Sequence, residues 1–309
     1  MMNRSLLTKA FWVVPLLLLL ALAGCGSTST GGSTNSVCKG TKVTVGGKLD
    51  TEAQLLTKMY TLLLSNAGCN VTEKARLGTN DIVFKAITSG QIDLYPEFTA
   101  TGLAQLGLTT THNAQQDYQM VKAGYEQKYQ ITWLDAAPMN DTYGVCTTKA
   151  KAQQLNVSKV SDLIPIAKNE IIATPPDGKS DPNVLPGLAT TYGITFKQEI
   201  VQDENVTFQT VQQGSADFNI CYTTNGLISA DNFVLLDDDK SLFPIYNPAP
   251  IVRDQLLKEV PGIAGVLNAL APKLTTAVIT GLNAQVDVQN LSVTQVATTF
   301  LQQQGLLPQ

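Results

Sequence analysis

Two stretches of this chain repeat one another at a fixed offset of 124 residues, and that echo limits the fold more than any other feature. Phe84-Lys-Ala-Ile87-Thr-Ser-Gly90 returns as Phe208-Gln-Thr-Val211-Gln-Gln-Gly214. Asp93 returns as Asp217, Phe98-Thr99 as Tyr222-Thr223 and Gly102-Leu103 as Gly226-Leu227, without a gap. Each copy reads as a helix that stops at glycine, a short buried strand, and a turn that carries an aromatic ring. Gly90 and Gly214 suit the left-handed residue that ends a helix. One copy in each of two lobes places Phe98 and Tyr222 at equivalent strand ends. Ligands of open α/β sheets bind beyond the carboxyl ends of strands, so two facing lobes would bring both rings to one cleft. A lone aromatic is read more simply as core. The paired occurrence beside polar turns favours the cleft.

The remaining pattern alternates strands with helices. Strands are predicted at Lys42–Gly46, Ile92–Tyr95, Ile131–Leu134, Tyr143–Thr147, Glu170–Ala173, Phe218–Cys221 and Phe233–Leu236. Thr51-Glu52-Ala53-Gln54 has capping-box spacing, and Leu55, Leu56, Met59, Tyr60 and Leu63 then share one helical face. Two more helices are predicted at Ile263–Leu274 and Ser292–Gln304. The alternation implies α/β lobes with helices on both sheet faces.

The N-terminus points to export. Arg4 and Lys9 precede an apolar run from Phe11 to Leu22, too short to span a bilayer comfortably, and small residues follow. Leu22-Ala23-Gly24-Cys25 resembles the bacterial lipobox, in which the cysteine becomes the lipidated first residue. Ser27 to Ser36 is a Gly/Ser/Thr tract that suits a tether and cannot build a core. Residues 1–24 are therefore read as a lipoprotein signal peptide and 25–40 as lipid anchor and tether. Loss of the signal leaves 19 basic against 25 acidic residues, a balance of −6. With no basic cluster, nucleic-acid binding is excluded as a reading. Cys38, Cys69, Cys146 and Cys221 remain beside Cys25, an even number in an oxidising compartment. They allow three connectivities; Cys38–Cys69 with Cys146–Cys221 is favoured, because each pair then staples one lobe. A metal site is not expected, since there is no CxxC and the single histidine is His112.

Several motifs occur in order: Val45-Gly46-Gly47-Lys48, Thr51-Glu52, Ile92-Asp93-Leu94-Tyr95-Pro96-Glu97-Phe98-Thr99-Ala100-Thr101-Gly102, Leu185-Pro186-Gly187-Leu188, Asp237-Asp238-Asp239-Lys240 and Phe243-Pro244-x-Tyr246. Together they resemble the glycine betaine/carnitine/choline-binding proteins of ABC transporters, the osmoprotectant binders. The resemblance runs from about Lys42 to Leu307. It implies a two-lobe, type II periplasmic-binding-protein fold with two hinge crossings. Lobe 1 would take residues 41–141 plus 246–309, and lobe 2 would take 142–245. It also implies an aromatic box for a trimethylammonium group at Phe98, Tyr143, Tyr222 and Tyr246. Lys48 and Thr101 match positions that bind a ligand carboxylate, and Asp141 adds a counter-charge near the cation. The implied partners are a small quaternary-ammonium ligand, ABC permease subunits and, through the anchor, the membrane. No cofactor is implied. The expected state is a monomer, exported and lipid-anchored to the outer face of the cytoplasmic membrane or in the periplasm.

Departures from the family pattern bear on the cargo. Phe98 stands where the first ring is usually Tyr, Ala53 where a Gln is common, and Asn80 where a Thr often follows Leu77-Gly78. Betaine binders tend to carry an Arg at the position of Asp181, where it pairs with the ligand carboxylate. An acid there predicts that a hydroxyl-bearing cation such as choline is preferred over glycine betaine, although Lys48 opposes this and Lys179 stands two residues away. Other classes fare worse. An enzyme lacks support, because there is no P-loop, GxGxxG, HExxH or GxSxG. An amino-acid binder would need an Arg clamp, and after the signal only Arg76 and Arg253 remain. A receptor that docks to a membrane partner other than a permease is not separable by sequence.

Overall fold

The computed structural model describes residues 36–309. The expected signal peptide, Cys25 and the tether up to residue 35 lie outside the described residues. Ten strands form two five-stranded sheets among those residues. The first holds β1 (Lys42–Lys48), β2 (Asn70–Gly78), β3 (Leu94–Phe98), β4 (Ile131–Trp133) and β10 (Pro248–Arg253), in the order β2-β1-β3-β10-β4. The second holds β5 (Tyr143–Thr148), β6 (Ile171–Thr174), β7 (Gln198–Val201), β8 (Phe218–Tyr222) and β9 (Phe233–Leu235), in the order β7-β6-β8-β5-β9. The chain thus passes between the sheets twice, from β4 to β5 and from β9 to β10.

The sheets share one pairing pattern. β1 runs parallel to β2 and β3, while β10 is antiparallel to β3 and β4. β6 likewise runs parallel to β7 and β8, while β5 is antiparallel to β8 and β9. The 124-residue echo lies in matching slots. Helices Asn80–Thr88 and Glu204–Gln212 begin and end at corresponding positions, as do β3 and β8. Gly90 and Gly214 adopt φ of 76° and 74°. The repeated aspartates do the same work. Asp93 Oδ2 accepts from the Thr44 backbone N–H at 2.8 Å, and Asp217 Oδ2 from that of Ile171 at 2.8 Å. Each aspartate also holds a cation, Arg253 at 3.5 Å and Lys151 at 2.6 Å.

Each sheet has its own core. Leu55, Leu56, Met59 and Leu63 of helix Thr51–Asn66 pack with Val296, Ala297, Phe300 and Leu301 of helix Val293–Gln303. Val145, Ile172, Leu188, Phe218 and Ile220 form the counterpart around the second sheet. Full burial of such side chains stabilises by about 1.5–3 kcal/mol each before conformational entropy is counted.

The structure differs from the sequence reading in several places. The helix expected over Ile263–Leu274 ends at Asn268, and after a short 3-10 turn at Ala271–Lys273 an additional helix runs over Thr276–Asp287. The helix expected to be capped by Thr51 is capped by Asp50, whose Oδ1 accepts from the Ala53 N–H at 2.7 Å. Thr51 instead donates to Asp287 Oδ1 at 2.7 Å. Strands β2, β7 and β10 are additional. β2 hides because its outward residues Asn70, Thr72, Lys74 and Arg76 are polar or charged, as befits an edge. β10 hides because Pro248 and Pro250 argue against an interior strand. Both prolines lie where β4 has ended, and their carbonyls still accept from the Ala137 and Leu134 N–H groups at 2.8 and 3.0 Å. Finally, Ser36–Gly40, within the span read as tether, is tied to the folded body. Cys38 N–H donates to Ala67 O at 3.1 Å, and Gly40 N–H to Gly68 O at 2.9 Å.

Two disulfides are present. Cys38–Cys69 ties this segment to the start of β2, and Cys146–Cys221 joins neighbouring strands β5 and β8. Loops of 31 and 75 residues are closed. In the chain-entropy picture each closure stabilises by about 4 kcal/mol.

Candidate functional site

The repeat predicts where a cleft should form, and a cavity lies there. It has a volume of about 770 Å³. Lys48, Phe98 and Tyr222 are the last residues of β1, β3 and β8, and Tyr143 is the first residue of antiparallel β5. All four therefore emerge at corresponding edges of their sheets, and all line the cavity. Tyr246 comes from the second crossing between the sheets, Asp141 from the first, and Thr101 from helix Thr99–Leu106. Seven of the eight expected ligand residues are thus brought together.

Asp181 is the exception, because it is not on the lining. Its Oδ1 accepts from the Asn183 backbone N–H at 2.8 Å and from Asn183 Nδ2 at 3.2 Å, the local bracing typical of an Asx turn. Its charge still reaches the lining, since it acts on the Tyr246 hydroxyl. Lys179, the other neighbouring charge, pairs with Glu199 at 3.3 Å.

The rings are held firmly. Tyr143 and Tyr222 are cross-strand partners with ring centroids 4.8 Å apart, and the Tyr222 hydroxyl lies 3.2 Å from that of Tyr143. Phe98 is buried, and Lys48 Nζ stands 5.0 Å from its ring centre. Tyr246 is fixed through its backbone: its N–H donates to Asn140 Oδ1 at 2.7 Å, and its carbonyl accepts from the Asp141 N–H at 3.2 Å. Thr142 Oγ1 donates to Pro244 O at 2.5 Å, and Asn247 Nδ2 to Met139 O at 2.6 Å. The two crossings are thereby laced to each other. Burial first, then the charges of Asp181 and Asp141, push the Tyr246 hydroxyl above its ordinary pKa, so it stays neutral.

Charge on the lining is lopsided. Among the described residues Lys48 is its single basic side chain, set against Asp50, Glu52, Asp141, Glu204 and Asp287. Lys48 is already committed, since its Nζ lies 2.5 Å from Oε1 of the fully buried Glu97. The other oxygen of Glu97 accepts from Tyr95 at 2.7 Å. Arg76 and Arg253 are not on the lining; Arg253 is bound to Asp93.

A polar cluster behind the rings was missed by sequence reading. Thr224 Oγ1 donates to Asp141 Oδ1 at 2.7 Å. Asn283 Nδ2 donates to Glu52 Oε2 at 3.1 Å and to Thr224 O at 2.9 Å. Burial, and after it the Asp141 charge, push the Glu52 carboxyl well above the usual range. Burial and Asp50 push that of Asp141 up to about 6, against the Thr224 hydroxyl and Lys48, which favour its charge. One signal for Glu52 was available. It lies three and four residues before Leu55 and Leu56, so it shares the buried helical face.

A family model described as the substrate-binding domain of ABC-type glycine betaine transport systems matches residues 41–303. The chain belongs to that family. It is therefore a solute-binding protein of an ABC transport system rather than an enzyme. Among relatives, the glycine betaine-binding protein YehZ of Escherichia coli K12 is 30% identical over 276 residues, spanning 85% of this chain and 90% of that protein. The carnitine transport binding protein OpuCC of Listeria monocytogenes is 26% identical over 288 residues, 92% of each. The solved apo structure of YehZ from E. coli superposes with a TM-score of 0.78 at 29% identity, covering 87% of this chain and all of that one. A glycine betaine/carnitine/choline ABC transporter structure reaches 0.82 at 22% identity, with 85% and 99% covered, and shows the same fold. The two-lobe binding-protein fold expected from the sequence is the fold of this chain.

Proposed function

We propose that this binding protein captures a small quaternary-ammonium cation in the box of Phe98, Tyr143, Tyr222 and Tyr246, and that choline-type alcohols are preferred over betaines. The observation that carries this reading is the cavity lining: three rings from the two sheets and a fourth from the second crossing, five acids, and one lysine already neutralised by Glu97. A quaternary ammonium has no N–H to donate, so aromatic faces are its natural partners, at about 0.5–2 kcal/mol each when desolvated. Several such contacts support roughly micromolar binding after the costs of association. A betaine adds a carboxylate, which would meet five acids and no free arginine. The preference for an alcohol now rests on the lining and on Lys48 being occupied, no longer on Asp181. Cargo entering the cleft is gripped by rings from both lobes, the lobes close, and the closed form docks to the permease. Export and lipid anchoring through Cys25 would keep the protein beside that permease.

Calorimetric titration of the purified protein with choline, glycine betaine, carnitine and proline betaine tests this. Choline should bind most tightly, and Tyr222→Ala should weaken it by roughly three- to thirtyfold, the loss of one ring. Tighter binding of the betaines would overturn the ligand choice. Silence toward all four would overturn the quaternary-ammonium reading.

A further inference from the structure

We propose that Glu52 is a proton-exchange site of this cavity: the empty cleft holds it as a neutral acid, and an arriving organic cation expels its proton to solvent. This rests on the cation-binding reading given above. Glu52 sits in the first turn of helix Thr51–Asn66, lines the cavity and is 5% exposed. Its Oε2 accepts from a neutral group, the Asn283 amide, and its Oε1 is buried with no hydrogen-bond partner; the nearby Thr224 hydroxyl, which favours the charged form, is given to Asp141. Asn283 Oδ1, on the same contacting side chain, is also buried without a partner. Two orphaned acceptors on one bonded pair indicate a missing hydrogen. A proton on Oε1 makes it a donor, which is what Asn283 Oδ1 lacks.

The surrounding charges lead to the same conclusion. Asp50 at the helix cap and Asp141 in the first crossing are both acids, as is Glu204 across the cavity on helix Glu204–Gln212. On helix Thr276–Asp287, Asp287 accepts from Thr51. The cation from β1, Lys48, is held by Glu97 of β3, and the Tyr246 phenol is neutral. An ionised Glu52 in the empty site would be a buried charge among like charges, which is costly. Burial and Asp141 accordingly hold its carboxyl well above the usual range.

A bound quaternary ammonium changes that balance. It supplies the positive field that Glu52 lacks, so the carboxyl ionises, one proton leaves for solvent, and the net charge of the site is unchanged. A zwitterion carries its own carboxylate, which cancels much of that field and leaves the proton in place. Affinity for a cation should then rise with pH, by up to tenfold per unit within the exchange range, while affinity for a zwitterion should not.

The test is titration calorimetry with choline chloride and with glycine betaine between pH 5 and 8, each in two buffers of different ionisation heat. We expect choline to release up to one proton and to bind more tightly as pH rises, with no release on glycine betaine binding. Glu52→Gln should bind choline with a flatter pH dependence and less proton release, leaving at most the share of Asp141, whose carboxyl is raised to about 6. Choline binding with no release at any pH in the unaltered protein overturns the exchange and leaves the proposed function intact; this measurement needs no variant. Release that persists in Glu52→Gln but vanishes in Asp141→Asn overturns the assignment to Glu52. Absence of binding by any quaternary amine at every pH overturns both readings.

Discussion

At the scale of single residues the decisive pair is Lys48 and Glu97, 49 positions apart and joined in the interior. Removing one member of a buried ion pair leaves an uncompensated charge, at a cost of about 3–5 kcal/mol. Glu97→Gln should therefore lower the urea midpoint sharply. It should also free Lys48, so that the ratio of glycine betaine to choline affinity rises in parallel titrations. An unchanged ratio would show that Lys48 never reaches the ligand. Sequence reading named Lys48 as an anion partner but had no means of pairing it with Glu97, because that contact depends on β1 and β3 lying side by side. Asp181 shows the opposite limit. Its charge was legible, but its side chain is spent on Asn183 and it is not a lining residue, although its charge reaches Tyr246. Glu52 was concealed differently: an acid in a first helical turn is the normal complement to the helix dipole, and only its place on the apolar face marks it as unusual.

At the scale of elements, the echo of helix, glycine stop and strand was fully legible, because local periodicity and a turn residue determine it. β10 and β2 were not. Prolines are tolerated in β10 only because its neighbour ends early, and the charges of β2 are tolerated only because it is an edge. Both are facts of tertiary placement. Close approach between lobes has the same character. Gly226 opens helix Gly226–Ala230 after β8, and a Cβ there would stand 2.6 Å from Ala284 N and 2.7 Å from Ala284 Cα on helix Thr276–Asp287. Those are backbone atoms of that helix, and they cannot rotate aside. Gly226→Ala should lower stability by about 1–3 kcal/mol in chemical denaturation. Gly281→Ala, on the same long helix with nothing within 4 Å, should instead raise stability, by up to about 1 kcal/mol. Equal effects of the two substitutions would contradict the close packing.

At the scale of the whole molecule, two laced crossings and the contact between helices Gly226–Ala230 and Thr276–Asp287 link the lobes around an acidic cavity. Asp141 sits at that junction with its carboxyl raised from 3.8 to about 6. A carboxyl raised on folding favours the folded state while it is protonated, and that contribution fades as pH rises from about 4 through about 6. Asp141→Asn should remove this component, so the ligand-free variant should gain thermal stability relative to the unaltered protein as pH climbs through that window. A constant difference in melting temperature from pH 4 to 7 would contradict it. The matching halves also bear on how such a receptor can be altered. Positions 98 and 222 carry Phe and Tyr, while helices Asn80–Thr88 and Glu204–Gln212 and strands β3 and β8 keep the same 124-residue spacing at both ends. Backbone spacing and ring identity are thus separable in this fold: the ring at one half of the cleft can be exchanged without moving the strand end that carries its counterpart.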